Sequence, residues 1–438
     1  MSRTRALGAL VCLALLSGCG LVGQGDSADP GPSTTSPTST PSADSASASP
    51  SRFQPGPADF RRVRAVLAAR ASAVRAHDEQ AFVATVDPQQ PQLVTAQRTL
   101  YENLAQLPIA SLTYSVDPSS ALVPAQVPGN NDPVLHPVVV EHLEIARTLA
   151  LPVGNPVTMT FVRRAGQWLV AAESEGTQEA KYDSPRERPW FGVPISVRQS
   201  GPLTLIVDRS RAAGIDGLLA TVRSGIARDA SVLGVPTDYR VLVDATSNGL
   251  SHSFDNNEEA AAVTFGVAAT RGFDPAGTGV AGTVIKVNPN QISQLIGDST
   301  LLYHELTHFL LQKYGNFLPT WLSEGIAAYV QFYPSSLIQL RIPSDVYDRI
   351  FRRDHELPVA GLFGMDPAVD YTVAQAAVTY LVQTYGMARL LDLFGLYRAN
   401  TTSSDRDRLT AGLLKREYGT TPQVVADHAW ALMTQLQH

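Results

Sequence analysis

Apolar positions recur at helical spacing over residues 59–77, where Phe60, Val63, Leu67 and Val74 fall on one face, and again over 91–107. The period then shortens to two. Stretches 111–116, 138–145, 157–163 and 167–172 read as strands, and the last two close as a hairpin through Ala165-Gly166. A polar connector with Pro185, Pro189 and Pro194 follows. Beyond it, 203–207 reads as a strand, 212–233 as a long helix, 239–243 as a strand and 282–289 as a short strand. In that last stretch Val284, Lys286 and Asn288 alternate with Ile285 and Val287, which suits an edge strand with one wet face. The remainder is mostly helical, and Thr421-Pro422 opens the last helix with a cap and a first-turn proline. The pattern predicts an α+β chain with a smaller unit over 56–185 and a larger one over 195–438, in which strands and a long helix lead into a mainly helical half.

The chain has 438 residues and a formal charge of −6, enough for two or three domains. No basic run is present, which argues against nucleic-acid binding. Arg3 and Arg5 precede a short apolar run over 6–16, too short for a mature membrane span, which ends in Leu16-Ser17-Gly18-Cys19. That tetrapeptide resembles the bacterial lipoprotein signal. The resemblance implies a lipoprotein signal over 1–19 cut just before the cysteine, acylation of Cys19 as the new N-terminus and a chain anchored by lipid to the extracytoplasmic face of the cell membrane; an ordinary secretory signal cleaved nearby is the alternative. Residues 20–55 are dominated by Ser, Thr and Pro and form a tether that cannot bury a core. At ~3.1 Å per residue its reach is on the order of 100 Å.

The candidate chemistry is in His304-Glu305-Leu306-Thr307-His308. On a helix, positions i and i+4 share a face, so both imidazoles point at one metal ion with Glu305 beside them to take a proton from water. Asp298, Ser299 or Thr300 supplies the N-cap and Gly315 a C-cap. Glu324, sixteen residues after His308 in Trp321-Leu322-Ser323-Glu324-Gly325, falls in the first turn or so of a second helix opened by Pro319 and Thr320. It supplies the third ligand that a His2Glu zinc site needs.

These two segments resemble the gluzincin zinc metallopeptidases, in particular the peptidase MA-like group. The resemblance covers roughly the second half of the chain. It implies a zincin-like fold with a mixed sheet, Zn2+ held by His304, His308 and Glu324, Glu305 as general base, and a peptide or protein substrate. Several gluzincins carry an acidic residue four positions after the glutamate ligand; here that position is Ala328, so another side chain or a backbone carbonyl must orient the histidine. The family also uses a Tyr or His to stabilise the oxyanion, a role for which Tyr371 is the candidate. It pairs an edge strand with the substrate backbone, which would give Val284 and Lys286 that part. A silent zincin-fold lipoprotein serving as an envelope binding or assembly module is the alternative function. Helices followed by long antiparallel strands, ending in Gly166-Gln167-Trp168-Leu169-Val170, give 56–185 a weaker resemblance to cone-shaped NTF2-like domains.

Overall fold

Pro57 starts the first helix where its missing N–H costs no hydrogen bond, and Asp59 accepts from the Gly56 N–H at 3.0 Å. The computed structural model describes residues 55–117, 133–175, 188–248, 261–268, 280–334, 342, 344–358, 363–400 and 406–435. The leader with Cys19 and nearly all of the tether lie outside the described residues. The described chain is α+β, with one antiparallel and one mixed sheet. None of its helices is long and apolar enough to cross a membrane.

The first unit contains α1 (Pro57–Ala76), α2 (Glu79–Val83), α3 (Pro91–Leu104) and strands β1 (Ile109–Asp117), β2 (Val134–Leu135), β3 (Val138–Ile145), β4 (Val153–Arg164) and β5 (Gln167–Glu175). β2 and β3 run along one side of β4 in a single register, with Val134 opposite Val162 and Val138 opposite Thr158. Pro137 interrupts them because it has no N–H for the ladder. The β4–β5 hairpin turns where the sequence places it: Ala165 and Gly166 have φ of 47° and 83°, the left-handed pair of a type I′ turn. Phe60, Val63 and Leu67 of α1 pack on Phe161, Trp168 and Val170 of the sheet.

Between helices and sheet lies a buried ionic cluster that includes Arg70, Glu141 and Glu173, closed by Arg188 from the connector. Glu175 faces Arg188, Glu141 and Glu173; burial pushes its carboxyl from 4.5 up to about 7 against the pull of Arg188. Between those values the folded chain holds a proton that the unfolded chain has lost, so stability falls as pH rises through the window. Glu175→Gln should flatten that part of the curve of denaturant midpoint against pH. An unchanged slope would assign it to another group.

The second unit begins with β6 (Ile195–Ser200) and β7 (Leu203–Asp208), followed by a 3-10 turn over Arg209–Gly214. That turn makes α4 (Ile215–Leu233) start three residues later than its periodicity suggests. β8 (Val241–Ala245), β9 (Ala262–Ala268) and β10 (Val280–Val287) complete a sheet of order β6-β7-β8-β10-β9. The helices are α5 (Ile292–Gly297), α6 (Thr300–Leu311), α7 (Thr320–Phe332), α8 (Ser344–Ile350), α9 (Pro367–Tyr385), α10 (Met387–Ala399), α11 (Arg406–Tyr418) and α12 (Pro422–Gln435). Thr421 Oγ1 caps α12 by accepting from Val424 N at 3.2 Å.

The edge-strand reading of 282–289 is corrected by this sheet. β10 is paired on both sides, parallel to β8 and antiparallel to β9, and among the described residues β9 is the edge. The alternation in β10 reflects two different packed faces, not one wet face. Ile285 and Val287 meet α4 and α6, whereas Val284 packs towards the first unit and Lys286 is 1% exposed.

The connector separates the units along the chain but not in space. One apolar cluster joins Leu100, Leu104 and Leu149 of the first unit to Ile206, Leu242 and Ala281 of the second sheet. Across this joint Ala150 N donates to Ala281 O at 2.7 Å, and the hydroxyls of Thr148 and Thr204 lie 2.6 Å apart. The first unit therefore covers one face of the mixed sheet, and α4 and α6 cover the other.

Candidate metal centre

Two packed helices bring the site together. In α6, Leu302 and Leu306 are fully buried beneath the mixed sheet, where they meet α4. A side chain at Gly225 of α4 would stand 2.5 Å from Leu306 Cδ1, so the two helices cross closely. Asp298 Oδ1 accepts from the Thr300 N–H at 3.0 Å at the start of α6. The helix ends at Leu311, and Gly315 lies within a following 3-10 turn, Gln312–Phe317, so Gln312 and not Gly315 is its C-cap. Thr264 of the edge strand β9 donates its hydroxyl to the Glu305 carbonyl at 3.0 Å.

α7 begins after Pro319 and buries Trp321, Leu322, Ile326 and Val330. Gly325 lets it approach α9: a Cβ there would fall inside the Ala374 carbonyl oxygen's contact radius and 2.7 Å from Val378 Cγ2. The preceding residue, Glu324, is thereby carried to the histidine face of α6.

His304 Nε2 lies 3.1 Å from His308 Nε2 and 3.1 Å from Glu324 Oε2, and His308 Nε2 lies 3.4 Å from the same carboxylate oxygen. Ligand atoms around a tetrahedral zinc with bonds of about 2.0–2.1 Å stand ~3.3 Å apart, so this triangle matches one face of such a site. The donor set also fits, since two imidazoles and a carboxylate with an open fourth position are what a hydrolytic zinc takes. Three such atoms this close need a metal or a proton between them. Without a metal, burial disfavours charge on His308, yet the Glu324 carboxylate outweighs it and raises the imidazole to about 9. Glu324 is buried too, and the two histidines hold it well below the usual carboxylate range.

Glu305 is 6% exposed. Burial raises its pKa against the opposing pull of His308 and His304. Its Oε2 is a buried oxygen with no hydrogen-bond partner among the described residues. A buried oxygen of this kind has room for a hydrogen bond from a molecule that is not protein.

The Ala328 side chain offers His304 no hydrogen-bond acceptor, but Gln331 does. Its Oε1 lies 3.3 Å from His304 Nδ1. An amide oxygen can only accept, so Nδ1 carries the proton and Nε2 presents its lone pair to the metal position. The clue in the sequence was spacing, because Gln331 follows Glu324 by two helical turns and shares its face. Arg228 of α4 gave no such signal. Its NH2 donates to the carbonyls of Val330 at 2.9 Å and Tyr333 at 2.7 Å, fastening the end of α7. Gln331→Ala should weaken zinc binding by about 10–100-fold, measured by competition with a chromophoric chelator. An unchanged affinity would remove Gln331 from the site.

Tyr371 lies in the first turns of α9, with its ring centroid 6.2 Å from that of His304 and 5.1 Å from that of Phe363. Asp370 holds the loop carrying Phe363, accepting from Gly364 N at 2.8 Å and Arg353 NH1 at 3.1 Å. His304, Glu305, His308, Glu324 and Tyr371 thus come together. Lys286 does not join them: its ammonium is 3.1 Å from Asp244 Oδ2 and donates to Asn248 O at 2.6 Å. With Val284 in an interior strand, neither residue has a free backbone edge for a substrate. Searches against protein-family models, curated proteins and solved structures found no match for the chain.

Proposed function

We propose that this protein is a zinc-dependent peptide hydrolase of the gluzincin type, lipid-anchored through Cys19 on the outer face of a bacterial membrane. The observation that carries the reading is the unpartnered, buried Glu305 Oε2 beside three ligand atoms at tetrahedral spacing. A binding scaffold needs the ligands but has no use for a desolvated base.

Zinc bound there would supply Lewis acidity, lowering the pKa of a coordinated water and polarising the scissile carbonyl. His304, His308 and Glu324 hold the ion, and Gln331 fixes the His304 tautomer. Glu305 takes the proton of the attacking water and returns it to the leaving amine; its raised pKa brings it closer to the pH at which it must do both. Tyr371 is the candidate donor to the developing oxyanion. The edge strand β9, antiparallel to its neighbour and joined to α6 through Thr264, takes the substrate-backbone role first read in β10. A mixed sheet over the metal helix, with a helical second half, suits a zincin-like fold, and the first unit suits an NTF2-like cone. The silent-scaffold alternative leaned on Ala328, and Gln331 weakens that argument.

The test is metal analysis of the chain from residue 56 onwards, together with cleavage of a peptide library by the same sample. One zinc per chain with cleavage is expected. Zinc without cleavage would reject the peptidase and leave the scaffold, and absence of bound metal would reject both.

A further inference from the structure

The connector is held by the first unit as a bound peptide is held by its receptor. The Arg188 side chain has no exposed surface. Its NH1 donates to Glu173 Oε1 at 2.9 Å and to Glu141 Oε2 at 3.2 Å, and its Nε lies 3.4 Å from Glu175 Oε2. All three carboxylates come from β3 and β5, so the first unit supplies every charged partner of the guanidinium. The pocket is braced from behind, where Glu173 Oε2 accepts from Arg70 NH2 and from Gln97 Nε2, each at 3.0 Å.

Two residues on, Trp190 is 4% exposed and donates its Nε1 to Glu141 Oε1 at 3.2 Å. The main chain beyond is read by side-chain amides. Asn103 Nδ2 donates to the carbonyls of Trp190 at 2.9 Å and Val193 at 2.6 Å, and Asn103 Oδ1 accepts from Ile195 N at 3.0 Å. Gln106 Nε2 donates to Ile195 O at 3.1 Å. A charged anchor, an aromatic anchor and amides on the backbone are the ingredients of linear-peptide recognition. Simple interior packing does not call for them, because an apolar residue fills buried space at lower desolvation cost than a guanidinium among carboxylates.

We propose that the first unit is a peptide-binding module whose site accepts an Arg-x-Trp segment, and that its occupant here is the chain's own 188–195 stretch, bound in cis. The proposal does not depend on the metal centre. The same stretch is fastened on its other side to the second unit: Asn248 Nδ2 donates to Arg188 O at 2.8 Å, and Lys286 Nζ to Asn248 O at 2.6 Å. The occupant is therefore also the clasp that sets the first unit over the mixed sheet.

Arg188→Ala in the full chain vacates the guanidinium position, and ethylguanidinium restores the missing atoms. Thermal melts of wild type, Arg188→Ala and Arg188→Met should place both variants about 5–10 °C below wild type. Low-millimolar ethylguanidinium should raise Arg188→Ala by several degrees and leave wild type unchanged, and ethylammonium at equal concentration should do less. The peptide Arg-Pro-Trp-Phe-Gly-Val-Pro-Ile should likewise raise the melt of the R188A/W190A chain but not of wild type. Should a variant fail to fold unaided, refolding yield with each additive gives the same comparison. Equal rescue by the two small cations, an Arg188→Met chain as stable as wild type, or no response to the peptide would overturn the proposal.

Discussion

Glu305→Gln should leave one zinc per chain and slow peptide hydrolysis by about 10²–10⁴-fold, the range that a positioned general base contributes. The substitution preserves shape and removes only the ability to take a proton. Because Glu305 is desolvated and its pKa is raised, a neutral amide should be tolerated and the metal-free chain should be no less stable. His304→Ala is the complementary change, since it removes a ligand and should lose both metal and turnover. Atomic spectroscopy for zinc and kcat on a cleaved peptide separate the two cases. Full activity in Glu305→Gln would end the general-base assignment, and loss of zinc from it would make Glu305 a structural part of the site.

Gly325→Ala should be the most damaging single-methyl change near the site. The new Cβ meets the Ala374 main-chain carbonyl and Val378 Cγ2. A carbonyl in the middle of α9 cannot rotate away as a side chain can, so α7 must move. Overpacking of this kind costs about 1–3 kcal/mol. Because Glu324 is the adjacent residue, the same shift pulls its carboxylate out of the ligand triangle, and zinc affinity should fall at least about tenfold, within the range seen when ligand support is lost. Denaturant unfolding of the metal-free chain reads the first effect, and chelator competition the second. A chain with unchanged stability and affinity would mean that α7 and α9 do not approach as closely as described.

The candidate site was legible because its chemistry is local. Two histidines four apart, a glutamate between them and Glu324 in an adjacent helical segment depend only on helix geometry, which periodicity reports. Gln331 was half legible, by its spacing from Glu324. Arg228 and Asp370 were not, because they act on α7 and on the Phe363 loop from segments whose approach no short-range pattern encodes. The β4–β5 hairpin could be read from Ala165-Gly166, where turn chemistry fixes the register. The position of β10 could not. Alternation reports that a strand has two unlike faces, but whether the unlike face meets water or a buried Lys286–Asp244 pair depends on the unit packed against it. The connector misled for a similar reason. Its prolines and charges mark a boundary between units, yet Arg188 is fully buried and Trp190 is 4% exposed.

The joint also sets an order of events for the growing chain. Synthesis delivers the N-terminal end first, but the site on the first unit stays empty until Arg188 and Trp190 have emerged. The apolar surface around Leu104 and Leu149 waits longer still, for Leu242 and Ala281. Contacts so distant along the chain form late, leaving a greasy surface uncovered while more than a hundred residues are still arriving. Uncovered apolar surface of this kind favours aggregation, so a truncated or stalled chain should associate through the first unit, before α6 and α7 have been made.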